Sequence, residues 1–117
     1  MLPSDEYIRR AKLIRVIDGD TVEMEIDCGF TIKKRERVRL LGVNTPEMKG
    51  ESRAQGLLAR DFTVKWFADR SGDVFCRTVK DKEDSFGRYL ADITSGADSL
   101  CADLLASGNA VPFMVEK

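Results

Sequence analysis

The chain has 117 residues, 43% apolar and 33% charged, with three cysteines and no histidine. That length sets a single domain, residues 1–117, with one modest core, and no apolar run approaches the roughly 18 residues of a membrane-spanning helix. The lack of histidine removes His-based triads, His bases and zinc sites, and a formal net charge of −1 is not the basic excess of a sequence-independent nucleic-acid coat.

Residues 1–7 have neither a basic start nor an apolar stretch, so they do not read as a signal peptide. Cys28, Cys76 and Cys101 are far apart and form no C-x-x-C pair. Together these predict a reducing, cytoplasmic setting in which the thiols are small buried or half-buried apolar groups. A processed, secreted mature chain is the alternative.

Residues 11–17 are rich in strand formers and end at an Asp-Gly turn signal. Residues 21–26 alternate, with Val22, Met24 and Ile26 on one face and Glu23 and Glu25 on the other. Asp27-Cys28-Gly29 reads as a hairpin turn, and residues 31–41 form a third strand that closes a meander. The third strand carries Lys33, Lys34, Arg35, Arg37 and Arg39 against the single anion Glu36; Lys33, Lys34 and Arg35 read as solvated charges, whereas Arg39 abuts the second motif. Asn44-Thr45-Pro46 breaks the sheet, because proline lacks an N–H and restricts the residue before it. Residues 51–69 read as a helix with Ala54, Leu57, Leu58, Phe62 and Phe67 on its buried face. Strands follow at residues 74–80 and 88–94, joined by a polar loop at 81–87. A last helix, capped by Asp98 or Ser99, turns Leu100, Cys101, Leu104 and Leu105 inward and stops at Gly108. The order predicts an α+β domain, mainly β: a five-stranded Greek-key barrel of the oligonucleotide-binding (OB) type, with a helix after strand 3 and a short C-terminal helix.

Two segments concentrate polar chemistry at the ends of apolar runs. One is Val16-Ile17-Asp18-Gly19-Asp20-Thr21-Val22, and the other is Arg39-Leu40-Leu41-Gly42-Val43-Asn44-Thr45-Pro46-Glu47. Phe86-Gly87-Arg88 adds a second arginine. These supply oxygen ligands of the kind that hold metals, a carboxylate able to act as a base, and two guanidiniums that pair with phosphate in bidentate fashion. Taken alone, each has a plainer reading: Asp20 caps a turn, Glu47 is a surface glutamate, and Asp18 hydrogen-bonds the turn that Gly19 relieves.

All three motifs, in this order and spacing, resemble those of the staphylococcal nuclease-like (thermonuclease) family, and the similarity spans about residues 11–112. The resemblance implies calcium-dependent hydrolysis of phosphodiester bonds in DNA or RNA. Single-stranded nucleic acid is the expected preferred partner and a monomer the expected state, and the lack of a long apolar run predicts no membrane contact. The resemblance also implies that Asp20, Asn44 and Thr45 hold the metal, Thr45 through its main-chain carbonyl, with Asp18 in support. It implies that Glu47 is the general base and that Arg39 and Arg88 grip the phosphate, Arg88 also assisting the leaving 5′ oxygen. Phe86 matches a nucleotide-stacking aromatic.

The chain departs from the family pattern at four points. Asn44 stands where the reference has aspartate, which removes one ligand charge and predicts weaker calcium binding. Met114 and Glu116 replace aromatic residues, and Ser85 replaces a lysine, which predicts a looser grip on bases. The alternative function is a nuclease-like barrel that binds nucleic acid or protein without cutting. Retention of Asp20, Glu47, Arg39 and Arg88 together favours the enzyme.

Overall fold

The computed structural model describes residues 8–70, 72–83 and 88–113. Three antiparallel strands come first: β1 (Ile8–Asp18), β2 (Thr21–Asp27) and β3 (Lys33–Leu40). Their alternation is as read, with Val22, Met24, Val38 and Leu40 turned into the core. Register shifts at Leu13/Arg15 and Val16/Asp18 bend β1, which lets a short sheet curl toward closure.

The β2–β3 turn lies later than the Asp27-Cys28-Gly29 reading. Ile32 N donates to Gly29 O at 2.9 Å, and the two residues between, Phe30 and Thr31, are left-handed at φ 56° and 64°. That is the type I′ arrangement, which matches strand twist but strains a β-branched residue such as Thr31.

The main sheet is left before Asn44: β3 ends at Leu40, Gly42 turns the chain at φ 78°, and β4 (Val43–Asn44) pairs with β8 (Val111–Pro112) in a separate two-stranded sheet that Thr45 and Pro46 then leave. A 3-10 turn at Gly50–Ser52 then leads into α1 (Arg53–Ala68).

The inner face of α1 differs from the expected one. The buried positions are Gly56, Ala59, Thr63, Trp66 and Phe67, while Ala54, Leu57 and Leu58 are exposed, Leu58 at 62%. Phe62 is half-buried against the core. The reason is steric. The first turns of α1 run directly against the Gly19 turn and the Glu47 main chain, so only small side chains fit there. Bulk enters the core further along, at Trp66 and Phe67.

Then come β5 (Val74–Glu83), longer than expected into the polar loop, β6 (Tyr89–Ser95), β7 (Asp98–Ser99) and α2 (Leu100–Ser107). Ser99 is the N-cap, its Oγ accepting from Ala102 N at 3.1 Å, and Gly108 ends the helix left-handed at φ 80°. Leu100, Cys101 and Leu104 are buried as read, but Leu105 is 37% exposed, being one position off the buried stripe. Cys76 and Cys101 are buried and Cys28 is exposed. Burial and the nearby Asp92 charge push the Cys76 thiol up to about 12.

The strands run β3-β2-β1-β5-β6, and a parallel pairing of β3 with β6 closes the ring into a five-stranded barrel. Among the described residues, no helix is long and apolar enough to cross a membrane. The closing pairing matters for the site: it sets Arg39 beside Leu90 and so brings the start of β6, preceded by Arg88, to the end of β3.

Candidate active site

The register puts Thr21 opposite both Asp18 on β1 and Arg39 on β3, so three strands deliver polar groups to one end of the barrel. In the intervening turn, Asp20 N donates to Asp18 Oδ1 at 3.3 Å. The Asp20 side chain is buried and fully engaged. Its Oδ2 accepts from Thr45 N at 3.0 Å and lies 3.4 Å from Arg39 Nη2, and its Oδ1 accepts from the Thr21 hydroxyl at 3.2 Å. Burial alone raises the pKa of Asp20, but the Asp18 and Thr45 hydrogen bonds and the Arg39 charge outweigh it and hold the carboxyl below the usual range. Asp18 goes the other way. Burial, then the Asp20 side chain through its hydrogen bonding and negative charge, push it up to about 6, against the Asp20 N–H, which favours the charged form.

Arg39 is buried at 8% exposure and held from several sides. Nη1 donates to the carbonyls of Leu40 and Val43, each at 2.8 Å, and Nη2 donates to Asn44 Oδ1 at 3.2 Å. The Phe113 ring lies 5.6 Å from its Cζ, a cation–π contact that helps fix the guanidinium. Arg88 reaches the same centre through Thr21, donating from Nη1 to the hydroxyl at 3.3 Å. Thr21 therefore touches both Asp20 and Arg88. Asp18, Asp20, Arg39, Asn44, Thr45 and, through Thr21, Arg88 thus form one chain of hydrogen bonds, with an ion pair joining Asp20 to Arg39.

Glu47 joins this chain only through the backbone. It is exposed, and its carboxylate makes no hydrogen bond among the described residues. Its carbonyl is fixed, accepting from Ser52 Oγ at 2.8 Å and lying against Gly56, where a Cβ would collide with it and come within 2.8 Å of Met48 N. One turn further on, Ala59 Cβ would be 2.9 Å from any Cβ at Gly19, and Thr63 Oγ1 donates to Gly19 O at 2.8 Å. A single face of α1 thus seats both polar loops. Sequence reasoning missed Gly56, Ala59, Thr63 and Phe113, and it gave Thr21 no role. No spacing pattern marks the first four, whereas Thr21 follows Asp20 directly and was open to notice.

The side-chain oxygens gathered here are hard: the Asp18 and Asp20 carboxylates and the Asn44 amide oxygen. That chemistry fits a hard cation, which would relieve the repulsion between Asp18 and Asp20. Among the described residues, no three His, Cys, Asp or Glu side chains gather into a metal cluster, so an ion here would need amide and carbonyl oxygens in its shell. Phe86, Met114, Glu116 and Ser85 lie outside the described residues.

Residues 37–117 match the model of the staphylococcal nuclease homologues. Over 100 residues the chain is 34% identical to the thermonuclease of Staphylococcus hyicus, covering 83% of this chain and 55% of that protein. Over 97 residues it is 35% identical to the thermonuclease of Staphylococcus intermedius, covering 80% and 54%. An uncharacterized protein of Methanocaldococcus jannaschii is 28% identical over 101 residues, covering 70% and 46%. The chain spans about half the length of these curated relatives. The match across most of the barrel, together with a barrel end built from the same motifs, assigns this chain to the staphylococcal nuclease family.

Proposed function

We propose that the chain is a calcium-dependent nuclease acting on DNA or RNA. The observation that carries the reading is the Asp18–Asp20–Arg39–Asn44 chain at the barrel end, with Arg88 tied to it through Thr21. Asp20, Asn44 and the Thr45 carbonyl hold the ion, and Asp18 orients Asp20. When bound, the ion neutralises charge on the phosphate oxygens.

Glu47 takes a proton from water as the water oxygen attacks phosphorus. Its exposure leaves room for water and substrate, while its fixed carbonyl limits where the carboxylate travels. The bond to the 5′ oxygen breaks, and Arg88 stabilises the charge that leaves with it. Arg39 grips a non-bridging phosphate oxygen. To do so it gives up its longer contacts, to Asn44 at 3.2 Å and Asp20 at 3.4 Å, and keeps the two shorter carbonyl bonds that aim it. Guanidiniums preorganised in this way stabilise the charge that builds during attack.

The competing reading is a barrel that binds without cutting. The internal engagement of Arg39 and the amide at position 44 favour it. Incubating labelled DNA and RNA with the protein and calcium, magnesium or manganese separates the two. Cleavage that is calcium-stimulated and lost in Glu47→Gln and in Arg88→Ala is expected. Intact substrates across the whole metal series would rule the enzyme out.

A further inference from the structure

We propose that the outer face of the β2–β3 hairpin is a binding track for a single-stranded nucleic acid, leading from Arg39 to a stacking platform at Phe30. Its connection to Arg39 rests on the nuclease reading above. On β3, Val38 and Leu40 point into the core, so Lys33, Arg35, Arg37 and Arg39 share the opposite face. At about 3.4 Å per residue, these cations recur roughly every 7 Å over a row of about 20 Å. The row ends inside the candidate site, where Arg39 meets Asp20 and Asn44.

The face is partly neutralised, and the balance remains positive. Asp27, Glu25 and Glu23 stand opposite Lys33, Arg35 and Arg37, and Lys12 and Arg15 on β1 stand opposite Glu25 and Glu23. Five cations thus surround three carboxylates on a chain whose overall net charge is −1. Glu23 is taken by Arg15 and Arg35, each at 2.8 Å. Lys12, Lys33 and Arg37 make no ion pair among the described residues and are open to phosphate.

At the far end, Phe30 is 95% exposed. The turn that carries it is braced: Cys28 N donates to Ile32 O at 2.8 Å, and Gly29 N to Asp27 Oδ1 at 2.8 Å, across central residues that are both left-handed. A solvated ring on a braced turn at the end of a cationic row is the arrangement by which OB-type barrels stack bases while tracking a backbone. The charge row selects a polyanion, and its continuity with Arg39 selects the strand that Arg39 would grip.

The test is fluorescence anisotropy of the full chain with oligothymidylates of about 4 and about 16 nucleotides, the range OB-type sites span. EDTA is present, so binding is read whether or not the chain cleaves. The longer oligonucleotide should bind more tightly. Phe30→Ser should weaken it about 5- to 150-fold and leave the short one unchanged, and Phe30→Trp should restore it. The pair Lys33→Gln and Arg37→Gln should flatten the salt slope by about 0.7 per lost phosphate contact. Equal affinity for both lengths, or no effect of Phe30→Ser, would overturn the proposal. So would Phe30-dependent sedimentation with phosphatidylserine vesicles alongside unaltered oligonucleotide binding, which would make the tip a membrane contact.

Discussion

Asn44 and Arg39 share a hydrogen bond of 3.2 Å, so position 44 bears on both halves of the proposed chemistry. An amide there offers one neutral oxygen. A carboxylate would add a charge toward a cation and strengthen the Arg39 contact. Asn44→Asp is expected to tighten calcium binding, and calorimetry on both forms reads it. Identical affinities would show that the side chain at 44 is not a calcium ligand. The tighter Arg39 contact also makes Arg39 slower to release Asn44 for phosphate, so tighter calcium and a lower kcat can occur together. That Asp18, Asp20, Arg39, Asn44 and Thr45 come together was legible because they cluster within short segments, where a turn, a strand end and a proline announce their geometry. Thr21 was visible but unread: its hydroxyl bridges Asp20 and Arg88, a contact spanning 67 residues that no local pattern encodes.

At the scale of the element, α1 decides how the two polar loops stand relative to each other. Gly56→Ala drives a methyl group into the Glu47 carbonyl and Met48 N, and overpacking of this kind costs about 1–3 kcal/mol. Thr63→Val keeps the shape but leaves the Gly19 carbonyl without its donor, at a cost of about 1–3 kcal/mol. Both should lower the midpoint of thermal unfolding. Gly56→Ala should also lower kcat more than it changes KM, because Glu47 moves while the arginines stay. An unchanged midpoint and kcat in Gly56→Ala would show that the contact yields without cost. The buried face of α1 was misread for a physical reason. Apolar residues occupy both sides of the helix, with Leu57, Leu58 and Val64 outside and Ala59, Trp66 and Phe67 inside, so periodicity alone selects the larger side chains. The structure instead buries the small ones where backbone approaches backbone.

Across the whole molecule, the parallel β3–β6 pairing and the packing of α2 close the fold, and both join segments distant in sequence. The five-strand order was legible from alternation and turns, but β4 and β8, two residues each, carry no pattern of their own. Trp66 is the sole tryptophan, and it lies at the α1–α2 junction. Its Nε1 donates to Asp103 Oδ2 at 2.8 Å, and Arg70 stacks on its ring at 4.0 Å while pairing with Asp98 at 2.9 Å. Its fluorescence therefore reports the docking of α2, whereas far-UV circular dichroism is sensitive to the barrel strands as well. Leu104, on α2, is fully buried in the same core as Val38 and Leu40. Leu104→Ala removes a side chain from that shared core, which costs about 2–5 kcal/mol. Each kcal/mol shifts the midpoint by about 4 °C in a domain of this size. If barrel and helices are one cooperative unit, the tryptophan and circular dichroism transitions fall together by the same amount. A fluorescence transition that drops alone, leaving the circular dichroism midpoint in place, would mean that α2 undocks from a barrel that stands without it.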